Sequence, residues 1–179
     1  MTSPLPIVQL GNPLLRQSAA TVTDIQAPAT QAFIEQMLTT LYEAEGVGIS
    51  APQLGLSAQI LIVASHPNPR YPQAPTMNPV VMINPQILAY AEERMPDWEG
   101  CLSVPGLRGL VPRHRSVQMQ YCDRNGTPQK LELTDFPARI FQHEYDHLHG
   151  YVFLDRVNTT LDLSTEQEYQ RLIETATSA

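Results

Sequence analysis

The chain is poor in cysteine, in positive charge and in long apolar runs, and each shortage removes a class of protein. Two cysteines, Cys101 and Cys122, do not make a disulfide scaffold, and 179 residues can close a hydrophobic core without one. Lysine and arginine number 11 against 18 aspartates and glutamates, a formal charge of −7. Such a surface repels phosphate backbones and no Lys/Arg stripe reverses this locally, so direct nucleic-acid binding is disfavoured. No apolar run reaches the roughly 20 residues of a membrane helix. The start, Met1 to Pro6, has neither a basic cluster nor an apolar h-region. No secretory signal is expected there, which points to the cytoplasm, or to an organelle stroma or matrix. With 42% hydrophobic and 16% charged residues, the composition fits one soluble domain spanning 1–179.

What is present is periodicity. Residues 29–45 place Phe33, Ile34, Met37, Leu38 and Leu41 on one helical face, and Gly46 stops the run. Residues 59–64 and 80–83 are short apolar runs rich in β-branched side chains, the pattern of buried strands. Residues 116–123 alternate, Asn125-Gly126 offers a turn and 130–134 alternate again, which predicts a hairpin. The proline-dense stretch 66–75 reads as a long surface loop. Asp135 is placed to cap a second helix from Phe136 to about His149, with Pro137 in its first turn and Gly150 beyond its end. Ser164-Thr165-Glu166-Gln167 has capping-box spacing and opens a third helix over about 164–176. The expected fold is α+β, with short, mainly antiparallel sheets around a central metal-binding helix and a helix towards each terminus.

His143-Glu144-Tyr145-Asp146-His147 carries the chemistry. Four residues at ~100° each leave the two imidazoles about 40° apart and one turn along, so both can reach one ion. Glu144 beside them can hold a water without ligating. Two solvated histidines on a surface helix give the same pattern, but Ile140, Phe141 and Leu148 make this helix too apolar for that. Asp146 either orients an imidazole or pairs with Arg139 or Arg156. Two histidines leave a metal short of protein ligands. Cys101, after Glu99-Gly100, can add a thiolate, and a Cys-His-His set keeps a position open, as catalytic sites do. Its plainer readings are a small buried hydrophobe or a Cys101–Cys122 disulfide. The stretch Gly46-Val47-Gly48-Ile49-Ser50-Ala51-Pro52-Gln53 lacks the Lys-Ser/Thr ending of a phosphate loop, and no helix-opening pattern follows it. It reads as an extended segment against which another backbone can lie, or as a tight turn beside a strand. Gln53 at its end offers an amide donor for an oxyanion.

Taken together, that stretch, Glu99-Gly100-Cys101-Leu102-Ser103 and Gln142-His143-Glu144-Tyr145-Asp146-His147 resemble the three signature motifs of peptide deformylases, in that family's order. The similarity runs from about Gly11 to Asp155. Ser50 stands where the family commonly has alanine, a departure expected not to touch the chemistry. The resemblance implies removal of the formyl group from formyl-methionine at the start of nascent polypeptides, in transient proximity to the ribosome. It implies Cys101, His143 and His147 as ligands of Fe²⁺, with Zn²⁺ or Ni²⁺ as substitutes. It further implies Glu144 as general base and acid for a metal-activated water, and Gln53 with the Leu102 backbone N–H as oxyanion donors.

An extended peptide would then pair with Val47 and Gly48. Ile140 or Val47 would line its methionine pocket, with core packing the alternative for both. The resemblance pairs Arg113 with Glu99 and sets Arg108 near the peptide path; a solvated surface charge is the favoured alternative for Arg108. Arg139 has no assigned role. His66, His114 and His149 are expected at the surface, and Cys122 in plain packing. The tail 164–179 carries one arginine and three glutamates, which argues against docking by a basic extension. Two other functions compete. A zinc peptidase would draw a third ligand from beyond the helix, where Asp155 is the candidate; an inactive metal-bearing module would need neither Glu144 nor Gln53.

Overall fold

A computed structural model describes residues 3–177; Met1, Thr2, Ser178 and Ala179, which the sequence reading included in one domain, lie outside the described residues. The elements are α1 (Pro28–Glu43), β1 (Gly48–Ser50), β2 (Ile60–Val63), β3 (Val80–Tyr90), β4 (Arg94–Cys101), β5 (Val104–His114), β6 (Ser116–Cys122), β7 (Pro128–Thr134), α2 (Asp135–Leu148), β8 (Leu163–Thr165) and α3 (Glu166–Thr177). Two antiparallel sheets form, one ordered β1-β2-β3-β6-β7 and one ordered β4-β5-β8. This is the α+β architecture that the periodicity called for. No helix among the described residues is long and apolar enough to cross a membrane.

Strand β2 explains the layering. Every residue of Ile60-Leu61-Ile62-Val63 is buried, because alternate side chains serve different cores. Ile60 and Ile62 pack with Ile34, Met37 and Leu41 of α1. Leu61 and Val63 point the other way, to Ala138, Ile140, Phe141 and Leu148 of α2. A buried side chain such as Phe141 contributes about 1.5–3 kcal/mol. Helix α2 also touches β5 of the second sheet, so it lies where both sheets meet.

Several local expectations change. Strand β3 continues past Ile83, through Pro85, as far as Tyr90. The chain absorbs the proline in a bulge at Asn84 (φ 52°), whose side chain bonds the backbone N–H and C=O of Val22. The hairpin β4–β5 was not foreseen. Its Gly and Pro residues hide the alternation, but Pro96 and Pro112 face each other, so their missing N–H groups fall on one rung. Gly46 to Gln53 divides into β1 and a 3₁₀ turn, Ala51–Leu54, so a helical turn does follow. Asp135 does not cap α2. Its own φ is 52° and its carboxylate accepts from Arg115 Nε at 3.0 Å. For α3 the acceptor is Thr165 Oγ1, which takes the Glu168 N–H at 3.3 Å, rather than Ser164.

Candidate active site

Helical geometry and one sheet edge bring the three ligand-type residues together. The His143 and His147 rings, one turn apart on α2, have centroids 5.1 Å apart. Cys101, the last residue of β4, places Sγ 3.3 Å from His147 Nε2. One donor atom from each of the three residues lies within 4.8 Å of the others, and all three residues are buried. Both cysteines are free thiols, which overturns the disulfide alternative, and Cys122 packs in the α1 core. A soft thiolate with two imidazoles, closely spaced and shielded from water, fits a divalent transition metal. Asp155, the peptidase candidate, is tied elsewhere: it pairs with Arg16 and accepts the Val152 N–H at 2.8 Å.

A charged lattice holds the ligands. Glu99 Oε2 meets His143 Nδ1 at 2.9 Å, leaving Nε2 as that ring's remaining nitrogen. Glu99 also accepts a fork from Arg113 at 2.9 and 3.0 Å and a bond from Arg139 at 2.8 Å. Arg113 reaches on to Asp146, which also pairs with Arg156. Asp146 is therefore an ion-pair partner, with Arg156 and Arg113 rather than Arg139. Arg139, left unassigned by sequence, also donates to the Val111 carbonyl at 2.8 Å and to that of Met95. Burial alone would raise the Glu99 carboxyl, but Arg113 and His143 outweigh it and hold it well below the usual range. Burial likewise favours neutral His143, yet its bonds to Cys101 and Glu99 carry it well above the ordinary value. Burial, aided by the charges of His143 and Arg113, holds His147 well below it, in the neutral form that ligates.

Glu144 has the opposite environment. It is 4% exposed, its Oε2 has no hydrogen-bond partner, and burial pushes its carboxyl up to about 7, against the opposing influence of His143 and Ser50. Gly48 allows this. A Cβ there would stand 2.6 Å from Ile140 Cγ2 and 2.7 Å from Glu144 Oε1, so only glycine lets β1 lie so close to α2. Gln53 is also locked. Its Oε1 accepts from the Ser50 N–H at 2.8 Å and from Ser50 Oγ at 2.9 Å, which turns the amide nitrogen towards Cys101 Sγ at 3.6 Å. Ser50, the departure from the resemblance, thus meets Gln53 through both its N–H and its hydroxyl.

A narrow cleft of about 40 Å³ opens onto these groups. Val47, Gly48, Gln53, Cys101, Leu102, Ile140, His143 and Glu144 line it, together with Arg70, Tyr71 and Phe136, to which the sequence reading assigned no role in the site. Tyr71 sits in the loop 66–75, which has no regular element yet turns this side chain inward; no local pattern marks such a residue. Arg108 is not solvated, contrary to the favoured reading: it is 0% exposed and lies beside the cleft rather than in its lining. His66 and His114 are half-buried, each with Nδ1 bonded to a backbone carbonyl, and only His149 is exposed.

Comparison with known proteins agrees with this geometry. The family model described as polypeptide deformylase matches residues 4–162. Peptide deformylase 2 of Nostoc sp. is 56% identical over 169 residues, covering 94% of each chain. Peptide deformylase 2 of Shewanella oneidensis is 45% identical over 153 residues, 86% of this chain and 84% of the relative. The Met-Ala-Ser-bound crystal structure of class I type b peptide deformylase from Acinetobacter baumannii superposes with a TM-score of 0.86 at 43% identity. That alignment covers 88% of this chain and 100% of the other.

Proposed function

The chain belongs to the polypeptide deformylase family and is a hydrolase that removes the formyl group from N-formylmethionyl nascent peptides; we propose that Glu144 moves the proton in that reaction, at a metal site formed by Cys101, His143 and His147. The burial of Glu144 carries this reading. A carboxyl pushed up to about 7, with one oxygen unpaired and three ligand-type residues around it, is poised to take and return a proton at neutral pH. When bound, the ion supplies a water acidified enough to ionise near neutral pH and a positive charge for the formyl oxygen. Fe²⁺ is proposed from family membership, with Zn²⁺ or Ni²⁺ as substitutes, since the same donors suit all three.

Glu144 takes the proton of the attacking water and later delivers it to the amine nitrogen that leaves. Gln53 Nε2 and the Leu102 backbone N–H donate to the oxyanion; one such fixed donor is typically worth about 3–4 kcal/mol in the transition state. Strand β1 is the edge of its sheet, and Val47 and Gly48 line the cleft, so an extended peptide can be held by strand addition. Ile140, Val47 and Phe136 offer apolar surface for the methionine side chain. The Met-Ala-Ser ligand of the Acinetobacter relative supports an extended tripeptide at this site. Arg108 serves the peptide path indirectly, as a support. Residues 1–179 act as one catalytic domain in the cytoplasm, near the ribosome only transiently, with no direct contact to nucleic acid or membrane.

Anaerobically purified, Fe²⁺-loaded protein is expected to release amine from formyl-Met-Ala-Ser. Glu144→Ala should keep its metal and lose about 10²–10⁴-fold in turnover. A loaded wild-type protein that releases no amine overturns the function; near-full turnover in Glu144→Ala overturns the proton role alone.

A further inference from the structure

Arg108 is a fully buried cation that the chemistry above does not use. Burying a guanidinium costs several kcal/mol unless its donors are met, so its partners show what it is for. Nε and Nη2 donate to Glu166 Oε2 and Oε1 at 2.7 and 3.0 Å, a two-pronged bond to the first residue of α3. The guanidinium carbon lies 5.2 Å from the Tyr71 ring centre and 4.9 Å from that of Tyr169 on α3. Nη1 donates to the Tyr71 hydroxyl at 3.1 Å. The same hydroxyl accepts the backbone N–H of Gly100 at 3.3 Å, one residue before Cys101. A Cβ on Gly100 would stand 3.1 Å from the guanidinium, a tight approach that Arg108 would have to relieve by a few tenths of an ångström.

The chain of contacts ends in the cleft. The Tyr71 ring lines it and lies 5.0 Å from Phe136, another lining residue. Pairing of β8 with β5 sets Ser164 opposite Arg108, and this carries the start of α3 over the buried cation. A 12-residue helix is marginal alone in water, and no described side chain of α3 is buried. The Glu166–Arg108 pair and the Trp98–Tyr169 ring contact at 5.4 Å are among the contacts that dock it.

We propose that α3 is a working support of the peptide cleft: Glu166, acting through Arg108, holds Tyr71 where its ring bounds the cleft and its hydroxyl caps Gly100, so the C-terminal helix sets affinity for an extended N-formylated peptide without touching it. Glu166 and Arg108 are positioning residues, and Tyr71 is the residue that meets substrate. This rests on the deformylase reading of the cleft.

Steady-state kinetics on formyl-Met-Ala-Ser with Fe²⁺-loaded wild type, Glu166→Ala, Tyr71→Ala and the double variant test it. Glu166→Ala should raise KM about 5–10-fold with kcat within about twofold, the mark of lost binding rather than lost chemistry. In the Tyr71→Ala background the same change should add less than about twofold, because its route to the cleft is gone. A general loss of structure would not produce that non-additivity. An unchanged KM in Glu166→Ala, or an undiminished effect in the Tyr71→Ala background, overturns the proposal. Should Glu166→Ala not fold, Glu166→Gln replaces it in the same cycle with the same two criteria. A wild type without activity is a failure of the deformylase reading itself, and it is seen before any variant is compared.

Discussion

Helices α2 and α3, 14 and 12 residues long, meet the same solvent problem in opposite ways. Helix α2 turns Arg139, His143, Glu144, Asp146 and His147 into the interior. Apart from Glu144 Oε2 and His147 Nδ1, their charged and ring atoms are matched from β4, β5 or the turn at Arg156. Helix α3 buries no described side chain, and it sets one partly exposed carboxylate on a buried arginine. The difference teaches where to look for chemistry. Among fully paired buried charges, the oxygen left unpaired, Glu144 Oε2, marks the working group. On an exposed helix, an ion pair marks an attachment.

Removing the hub of the α2 lattice should have the largest effect. Glu99→Ala leaves Arg113 and Arg139 buried without their carboxylate, and urea unfolding should show a loss of about 3–5 kcal/mol. Metal affinity should fall about 10–100-fold as His143 loses its orienting partner. Glu166→Ala should cost less, since water can take the place of a carboxylate that is 37% exposed; an equal loss would make the contrast between the helices wrong.

Gln53→Ala comes next, with an expected drop of about 10²–10³-fold in kcat and bound metal unchanged. Ser50→Ala sharpens the point. It removes one of two bonds to Gln53 Oε1, so a kcat loss well short of that in Gln53→Ala is expected; a loss as large would make Ser50 itself part of the reaction.

The smallest effect is a response to acid. The Arg108 hydrogen bond lowers the Glu166 carboxyl, so its folded-state pKa lies below the unfolded one. Its contribution to docking is then present at neutral pH and lost as pH falls through the depressed value. Trp98, the single tryptophan, touches Tyr169 and reports the docking. Its emission should change below about pH 4, and that transition should vanish in Glu166→Gln. An identical acid transition in both proteins would mean that another contact holds α3.

Much of this was legible in the chain. The helical period announced α1 and α2, and the five residues from His143 announced a metal site. Cys101 was assigned by its motif's resemblance rather than by periodicity, because nothing local distinguishes a ligand thiol from a buried one. The β4–β5 hairpin was hidden by Pro96, Pro105, Pro112 and three glycines, although it delivers Glu99, Cys101, Arg108 and Arg113. Arg108 was misjudged as solvated since its covering, α3, begins 58 residues later in the chain.

The sequence by itself determined what short-range geometry can determine: two histidines and a glutamate on one turn, a glycine where β1 must meet α2, and an apolar strand fit to be buried on both faces. Only the tertiary structure decided which arginine answers which carboxylate, which glutamine oxygen is held and which loop tyrosine faces the cleft. The reason is physical. A helix sets the relation of residues i and i+4 wherever it lies, whereas a buried charge is satisfied by whichever group packing brings within about 3 Å, and sequence distance does not constrain that choice.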